Sequence, residues 1–140
     1  MQSFPNTTAT AQDITVTAQD LRRLQDVLTV ESTALAEQLD IELARAKVVA
    51  QTEIGRDVVT MNSEVTYEEL GSGVRRTVRI VYPRDADAAR GWISVLAPIG
   101  SALLGLRVGQ EIGWRMPSGM RRVRVLAVPY QPEANGDFEL

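Results

Sequence analysis

Trp92-Ile93-Ser94-Val95-Leu96-Ala97-Pro98-Ile99-Gly100-Ser101-Ala102-Leu103-Leu104-Gly105-Leu106-Arg107-Val108-Gly109-Gln110 decides the fold, because it reads as strand, turn, short helix and turn. The β-rich run Trp92 to Leu96 suits a strand, and Pro98, which has no amide to give to a ladder, ends it with a bend. Gly100 and Ser101 then start a helix that Ala102, Leu103 and Leu104 favour, and Gly105 closes it in the left-handed conformation that glycine tolerates. Such a helix is apolar nearly all round. It has no polar face to turn to water, so a sheet must bury it, and Leu103 and Leu104 belong to the core.

Working outward, six runs enriched in β-branched residues read as strands: Val58 to Met61, Glu64 to Glu68, Arg76 to Tyr82, Trp92 to Leu96, Glu111 to Met116 and Arg121 to Val128. Gly71-Ser72-Gly73 and Pro117-Ser118-Gly119 supply hairpin turns, and Pro83 to Asp87 begins a longer polar loop. Upstream the period changes. Asp13 to Thr17 is a short extended lead-in, Thr17 caps a helix with Asp20 in its first turn, and Leu21, Leu24, Val27 and Leu28 follow at helical spacing. Thr29 to Thr33 interrupts the pattern, after which Leu35, Leu39, Leu43 and Ala46 form a second stripe. The fold class is therefore α+β: an antiparallel helical hairpin, then an antiparallel sheet curled around one short buried helix. Residues 1–12 read as a disordered tail, 13–50 as the hairpin, 51–57 as a linker and 58–140 as the sheet domain. Helices of roughly 10 and 15 residues span roughly 15 to 22 Å, which makes the hairpin a stub.

Composition removes many functions. The 140 residues contain neither Cys nor His, which excludes Cys/His zinc sites, cysteine nucleophiles, imidazole-based triads and a disulfide framework. No secretory signal and no membrane-spanning run are visible, so a cytoplasmic location is expected. A net charge of -3 is a poor footprint for nonspecific nucleic-acid binding. The charge is uneven: residues 1–70 hold 12 acids and 5 bases, residues 71–140 hold 6 acids and 10 bases, so the two halves face different surroundings.

Ile93 to Gly100, with Ala102 to Gly105 and Val108-Gly109, resembles the C-terminal domain of the Gre transcript-cleavage factors, which has the FKBP-like fold. Asp57 to Ser63 and Tyr130 to Ala134 resemble more particularly the Rnk branch, the regulators of nucleoside diphosphate kinase that bind RNA polymerase. The likeness is close from Asp57 to Leu140 and looser over the hairpin, which in Gre factors is a long coiled coil. It implies a bacterial protein docked at the rim of the polymerase secondary channel. DNA binding attaches to it only at family level, and no specific nucleic-acid contact is expected of this chain.

The resemblance also implies sites. In Gre factors the coiled-coil tip carries acidic residues that help hold a second magnesium ion for RNA cleavage. Here the tip offers only Glu31, between Val30 and Ser32, so the paired carboxylates of two-metal chemistry are missing. A non-catalytic polymerase regulator without metal or other cofactor is expected, and a monomer. The loop Leu96, Ala97, Pro98, Ile99 and Gly100 corresponds to a polymerase-contacting loop, although its plainer role is to turn the chain into the helix. Ala97 stands where Gre factors usually carry Ser, and Leu106 where they often carry Lys. Glu31 has the plainer reading of a solvated turn residue. Arg122 and Arg124 alternate with Val123 and Val125, and Arg79 with Val78 and Ile80, which places these arginines on a solvated sheet face; Arg124 is the one assigned to an acidic polymerase surface.

Two other functions compete. A cleavage cofactor would need a longer hairpin and an acidic pair. A prolyl isomerase shares the expected fold, but aromatics make up 5% of the chain and Trp92 and Trp114 both read as sheet residues, so its apolar pocket is poorly supplied. No Gly-rich phosphate loop or catalytic His is present, so an effect on a kinase would be regulatory and indirect.

Overall fold

The computed structural model describes residues 14–31, 33–116 and 119–140, with only the backbone at 114–116. The expected disordered tail, Asp13 of the lead-in and the Pro117-Ser118 turn lie outside these residues. The chain runs β1 (Thr15–Thr17), α1 (Ala18–Val30), α2 (Ala34–Ala44), β2 (Lys47–Val49), β3 (Glu64–Glu69), β4 (Arg75–Val81), β5 (Trp92–Ser94), α3 (Pro98–Leu103), β6 (Glu111–Met116) and β7 (Gly119–Tyr130).

The helical hairpin starts as its sequence dictates. Thr17 caps α1 by accepting the Asp20 amide at 3.0 Å, and Thr33 caps α2 by accepting the Ala36 amide at 3.1 Å. With 13 and 11 residues the helices are about 20 and 16 Å long at 1.5 Å per residue. Leu24, Leu39 and Leu43 point inward as expected, whereas Leu35 is exposed and Ala36 takes its place on the buried stripe. Unexpected are the three-residue strands at the hairpin's two ends. β1 and β2 pair in parallel, Thr15 opposite Lys47 and Thr17 opposite Val49. The Thr15 amide also reaches the Gly105 carbonyl at 3.1 Å, which ties this small sheet to the end of α3.

The larger sheet has the order β5-β4-β3-β7-β6. Three of its pairings are antiparallel, but β4 and β5 run parallel, Arg79 to Val81 opposite Trp92 to Ser94, so the sheet is mixed. A parallel neighbour needs a long crossover, and the Pro83 to Arg90 stretch, with its two short 3-10 turns, provides it. The expected strand at Val58 to Met61 is absent: Val58 makes one isolated bridge with Arg107 before the chain turns. The turn wins because the Ser63 hydroxyl accepts the Thr60 amide at 3.0 Å and Asn62 adopts a left-handed φ of 68°. β5 also stops early, at Ser94, whose hydroxyl accepts the Leu96 amide at 3.0 Å and folds Val95 and Leu96 into a turn.

One core joins both parts. Ile14, Val16, Leu24, Leu39 and Leu43 of the hairpin region cluster with Val65, Ile80, Val123 and Val125 of the sheet and Leu103, Leu104 and Leu106 of the central segment. Ala50 to Asp57 forms turns, and the buried Gln131 amide fixes its far end by donating to the Gly55 and Val58 carbonyls at 2.7 and 2.8 Å.

Candidate functional site

The loop Leu96 to Gly100 takes its shape from two residues. Pro98 occupies the first turn of α3, where its missing amide costs nothing and its fixed φ suits the helix, so α3 begins at Pro98 rather than at Gly100. Gly100 lies on the preceding strand so closely that a Cβ there would sit 2.2 Å from the Ser94 carbonyl oxygen. Ala102 and Leu103 face the core, Leu96 and Ile99 pack against it, and Leu96, Ala97, Pro98 and Ile99 keep part of their surface in solvent. The result is a small, partly exposed apolar knuckle seated on the core. Gly105 closes the segment at φ 83°, in the left-handed conformation its sequence suggests.

Glu31 ends α1 and lines a groove of about 610 Å³ between that helix and the sheet domain. Arg23, Asp26, Val27 and Val30 form the helical wall, and Tyr82, Pro83, Arg84 and Asp85 stand opposite. Val30, beside Glu31, is 78% exposed. The Arg23 guanidinium donates to the Leu140 carbonyl, and the Gln51 side-chain amide donates to the Phe138 carbonyl at 2.9 Å, so the C-terminal segment is held against the middle of α1 and the turns after β2.

Arg124 lies on the outer face of the sheet, opposite to Val123 and Val125, as alternation requires. Its guanidinium donates to Glu111 through Nε at 3.1 Å and also through Nη2, and Arg122 adds a contact at 3.3 Å. These arginines hold the Glu111 carboxyl below the usual carboxylate range. Strand register sets Arg75, Glu68, Arg124 and Glu111 in one row of alternating charge. A second row reads Trp92, Arg79, Glu64, Tyr130. There the Arg79 guanidinium lies 5.4 and 5.1 Å from the Trp92 and Tyr130 ring centres, and Arg90 covers Trp92 at 5.0 Å. Trp92 thus serves an arginine stack on the sheet rather than lining an apolar pocket.

The three sets of sequence-derived residues stay apart. Neither Leu96 to Gly100 nor Arg124 lines the Glu31 groove, and Arg124 points away from the core that α3 enters. Among the described residues no group of three or more acidic, His or Cys side chains is arranged to hold a metal ion, and no helix is long and apolar enough to cross a membrane.

One residue that sequence reasoning treated only as a first-turn acid stands out. Asp20 is 4% exposed, and burial raises its carboxyl from 3.8 to about 7, while the Met61 amide opposes that rise and Glu133 adds to it. An acid in the first turn of a helix ordinarily faces water, so nothing in the pattern marks it as buried.

Residues 52–130 match the family model described as "Transcription elongation factor, GreA/GreB, C-term", and residues 12–49 match "Rnk N-terminus". The regulator of nucleoside diphosphate kinase of Escherichia coli (strain K12) is 45% identical over 107 residues, 76% of this chain and 79% of that protein. The transcription elongation factor GreB of Xanthomonas axonopodis pv. citri (strain 306) is 36% identical over 92 residues, 66% of this chain and 55% of that factor. Among solved structures, a prokaryotic transcription elongation factor GreA/GreB from Nitrosomonas europaea aligns with a TM-score of 0.72 and 43% identity, over 85% of this chain and 99% of that one.

Proposed function

Because the chain belongs to the Gre factor family, with the N-terminus of its Rnk branch, we propose that it is a non-catalytic cytoplasmic regulator that binds RNA polymerase near the secondary channel. On this reading it competes there with Gre factors and modulates transcription as a monomer. The observation that carries the proposal is the pairing of a Gre-type C-terminal domain with a hairpin of only 13 and 11 residues. The domain supplies the docking element and the stub leaves the catalytic centre untouched. FKBP-like wrapping of the sheet around α3 and a coiled-coil hairpin belong to the same reading.

In this arrangement Leu96, Ala97, Pro98, Ile99 and Gly100 form the contact knuckle, Glu31 meets the channel rim, and Arg124 meets an acidic polymerase surface. A few well-packed anchor residues usually carry most of such affinity. An effect on nucleoside diphosphate kinase, which the name of the E. coli relative states of that protein, is on this reading indirect.

Titration of the labelled protein with core RNA polymerase, followed by competition with a Gre factor, tests the proposal. Saturable binding that the Gre factor displaces, without RNA cleavage in backtracked complexes, is the expected result. No binding at micromolar polymerase, or stimulated cleavage, overturns it.

A further inference from the structure

At the root of the hairpin, apart from the Glu31 groove, the Leu96 to Gly100 loop and Arg124, lies a concavity of about 430 Å³ lined by Ile14, Thr15, Arg45, Lys47, Arg107 and Gln110. Its three cations come from two places in the chain, Arg45 and Lys47 from one and Arg107 from the other. Arg45 caps the end of α2, Lys47 opens β2, and Arg107 follows α3. Their backbones are fixed. The Arg45 amide donates to the Glu42 carbonyl at 3.2 Å and the Lys47 amide to the Ile14 carbonyl at 2.9 Å. The Arg107 amide donates to the Gln110 side-chain oxygen at 2.8 Å, and the Gln110 amide returns to the Arg107 carbonyl at 3.0 Å.

No carboxylate lines this concavity among the described residues. Lys47 and Arg107 are exposed and, among those residues, take part in none of the ion pairs that engage most arginines of the sheet. Arg45 has interactions of its own, so it lends charge to the wall while Lys47 and Arg107 are left to meet a ligand. Cations near the end of α2 complement its dipole, which accounts for Arg45 and Lys47. It does not account for Arg107, which reaches the same concavity from a different part of the fold.

We propose that this concavity is an anion site for a phosphate-bearing ligand, with the Arg107 guanidinium gripping two oxygens of one phosphate and the Lys47 ammonium acting as a point charge beside it. Guanidinium and ammonium divide the work in this way because one is a planar fork and the other a compact charge. The phosphate can belong to a compact polyphosphate or to a nucleic-acid backbone. The three cationic residues line one hollow instead of being spread along a groove, which favours a ligand with several negative charges on few atoms, and hence the polyphosphate.

The test is a titration of the full chain, 15N-labelled, with inorganic pyrophosphate at low ionic strength, with a single-stranded oligonucleotide as the second arm. Saturable shifts at the amides of Lys47, Arg107 and Gln110 are expected. Lys47→Glu combined with Arg107→Glu should weaken binding at least tenfold, and Arg84→Glu should leave it unchanged. If the charge reversals unfold the protein, Lys47→Met with Arg107→Gln should still weaken binding severalfold in a chain that melts like the parent. Shifts that never saturate, that spread over all arginine surfaces, or that survive both pairs of substitutions overturn the site. Tighter binding of the oligonucleotide at the same amides overturns the choice of a compact polyphosphate.

Discussion

The Met61 amide donates to Oδ2 of Asp20 at 3.0 Å, tying the first turn of α1 to the loop that leads into β3. That carboxyl is buried, with Glu133 close enough to repel its charge and Arg23 close enough to attract it. Below the ordinary aspartate range it is protonated in both the folded and the unfolded chain. Between pH 3.8 and about 7 the folded chain keeps a proton that the unfolded chain has released. Each unit of pH rise in that window therefore removes up to about 1.4 kcal/mol of stability, on the order of 4 kcal/mol in all, and the loss levels off above it. The chain has no His to add a titration in that window. Thermal melting of the parent should fall across that interval. Asp20→Asn, which still accepts from Met61, should flatten the profile; a profile that stays steep in the Asn variant assigns the effect elsewhere.

Leu24 is fully buried in α1 and shares one core with the sheet. Leu24→Ala should cost about 2–5 kcal/mol in urea denaturation. Far-UV dichroism, which follows the helices, and tryptophan fluorescence, which follows Trp92 and Trp114 in the sheet, should report the same midpoint. Separate midpoints would show that hairpin and sheet unfold independently.

Gly100→Ala places a methyl group against the Ser94 carbonyl, and that obstacle is backbone, which cannot swing aside. A loss of at least about 3 kcal/mol is expected, at the upper end of what overpacking usually causes. Gly71 offers a contrast, because a Cβ there meets nothing within 4 Å, although its φ of 99° still disfavours one. Chemical denaturation of Gly100→Ala and Gly71→Ala side by side separates crowding from backbone strain, and equal losses would argue against crowding.

Pro98→Ala with Ile99→Ala should weaken polymerase binding roughly tenfold or more if this knuckle is an interface anchor. Arg124→Ala should weaken it mainly at low salt and mainly through the association rate. Surface plasmon resonance at two ionic strengths reads both. Unchanged affinity in both variants would move the interface away from these residues.

Much of this fold is legible in local chemistry. Thr17 and Asp20 mark the start of α1, Gly105 marks the left-handed stop after α3, and alternation of Arg124 with Val123 and Val125 gives the two faces of β7. What is not legible depends on distant partners. β1 and β2 are three residues each, too short to show a period, and exist because they pair with one another. Val58 to Met61 has strand composition, but the Ser63 hydroxyl and the left-handed Asn62 turn it. Nothing near Trp92 reveals that β5 lies parallel to β4, because that follows from the length of the crossover. The cations at Arg45, Lys47 and Arg107 are separated by 60 positions or more on one side and meet only in the folded chain.

The paired roots of the hairpin have a mechanical consequence. A stalk attached through one strand can swivel about a few backbone bonds, but this one leaves through β1 and returns through β2, and the two are laced together from Thr15 and Lys47 to Thr17 and Val49. Tilting it must carry both strands, and with them the Gly105 carbonyl bonded to Thr15. The root of the hairpin and the turn that closes the Pro98 helix are therefore held as one unit, through the same hydrogen bond.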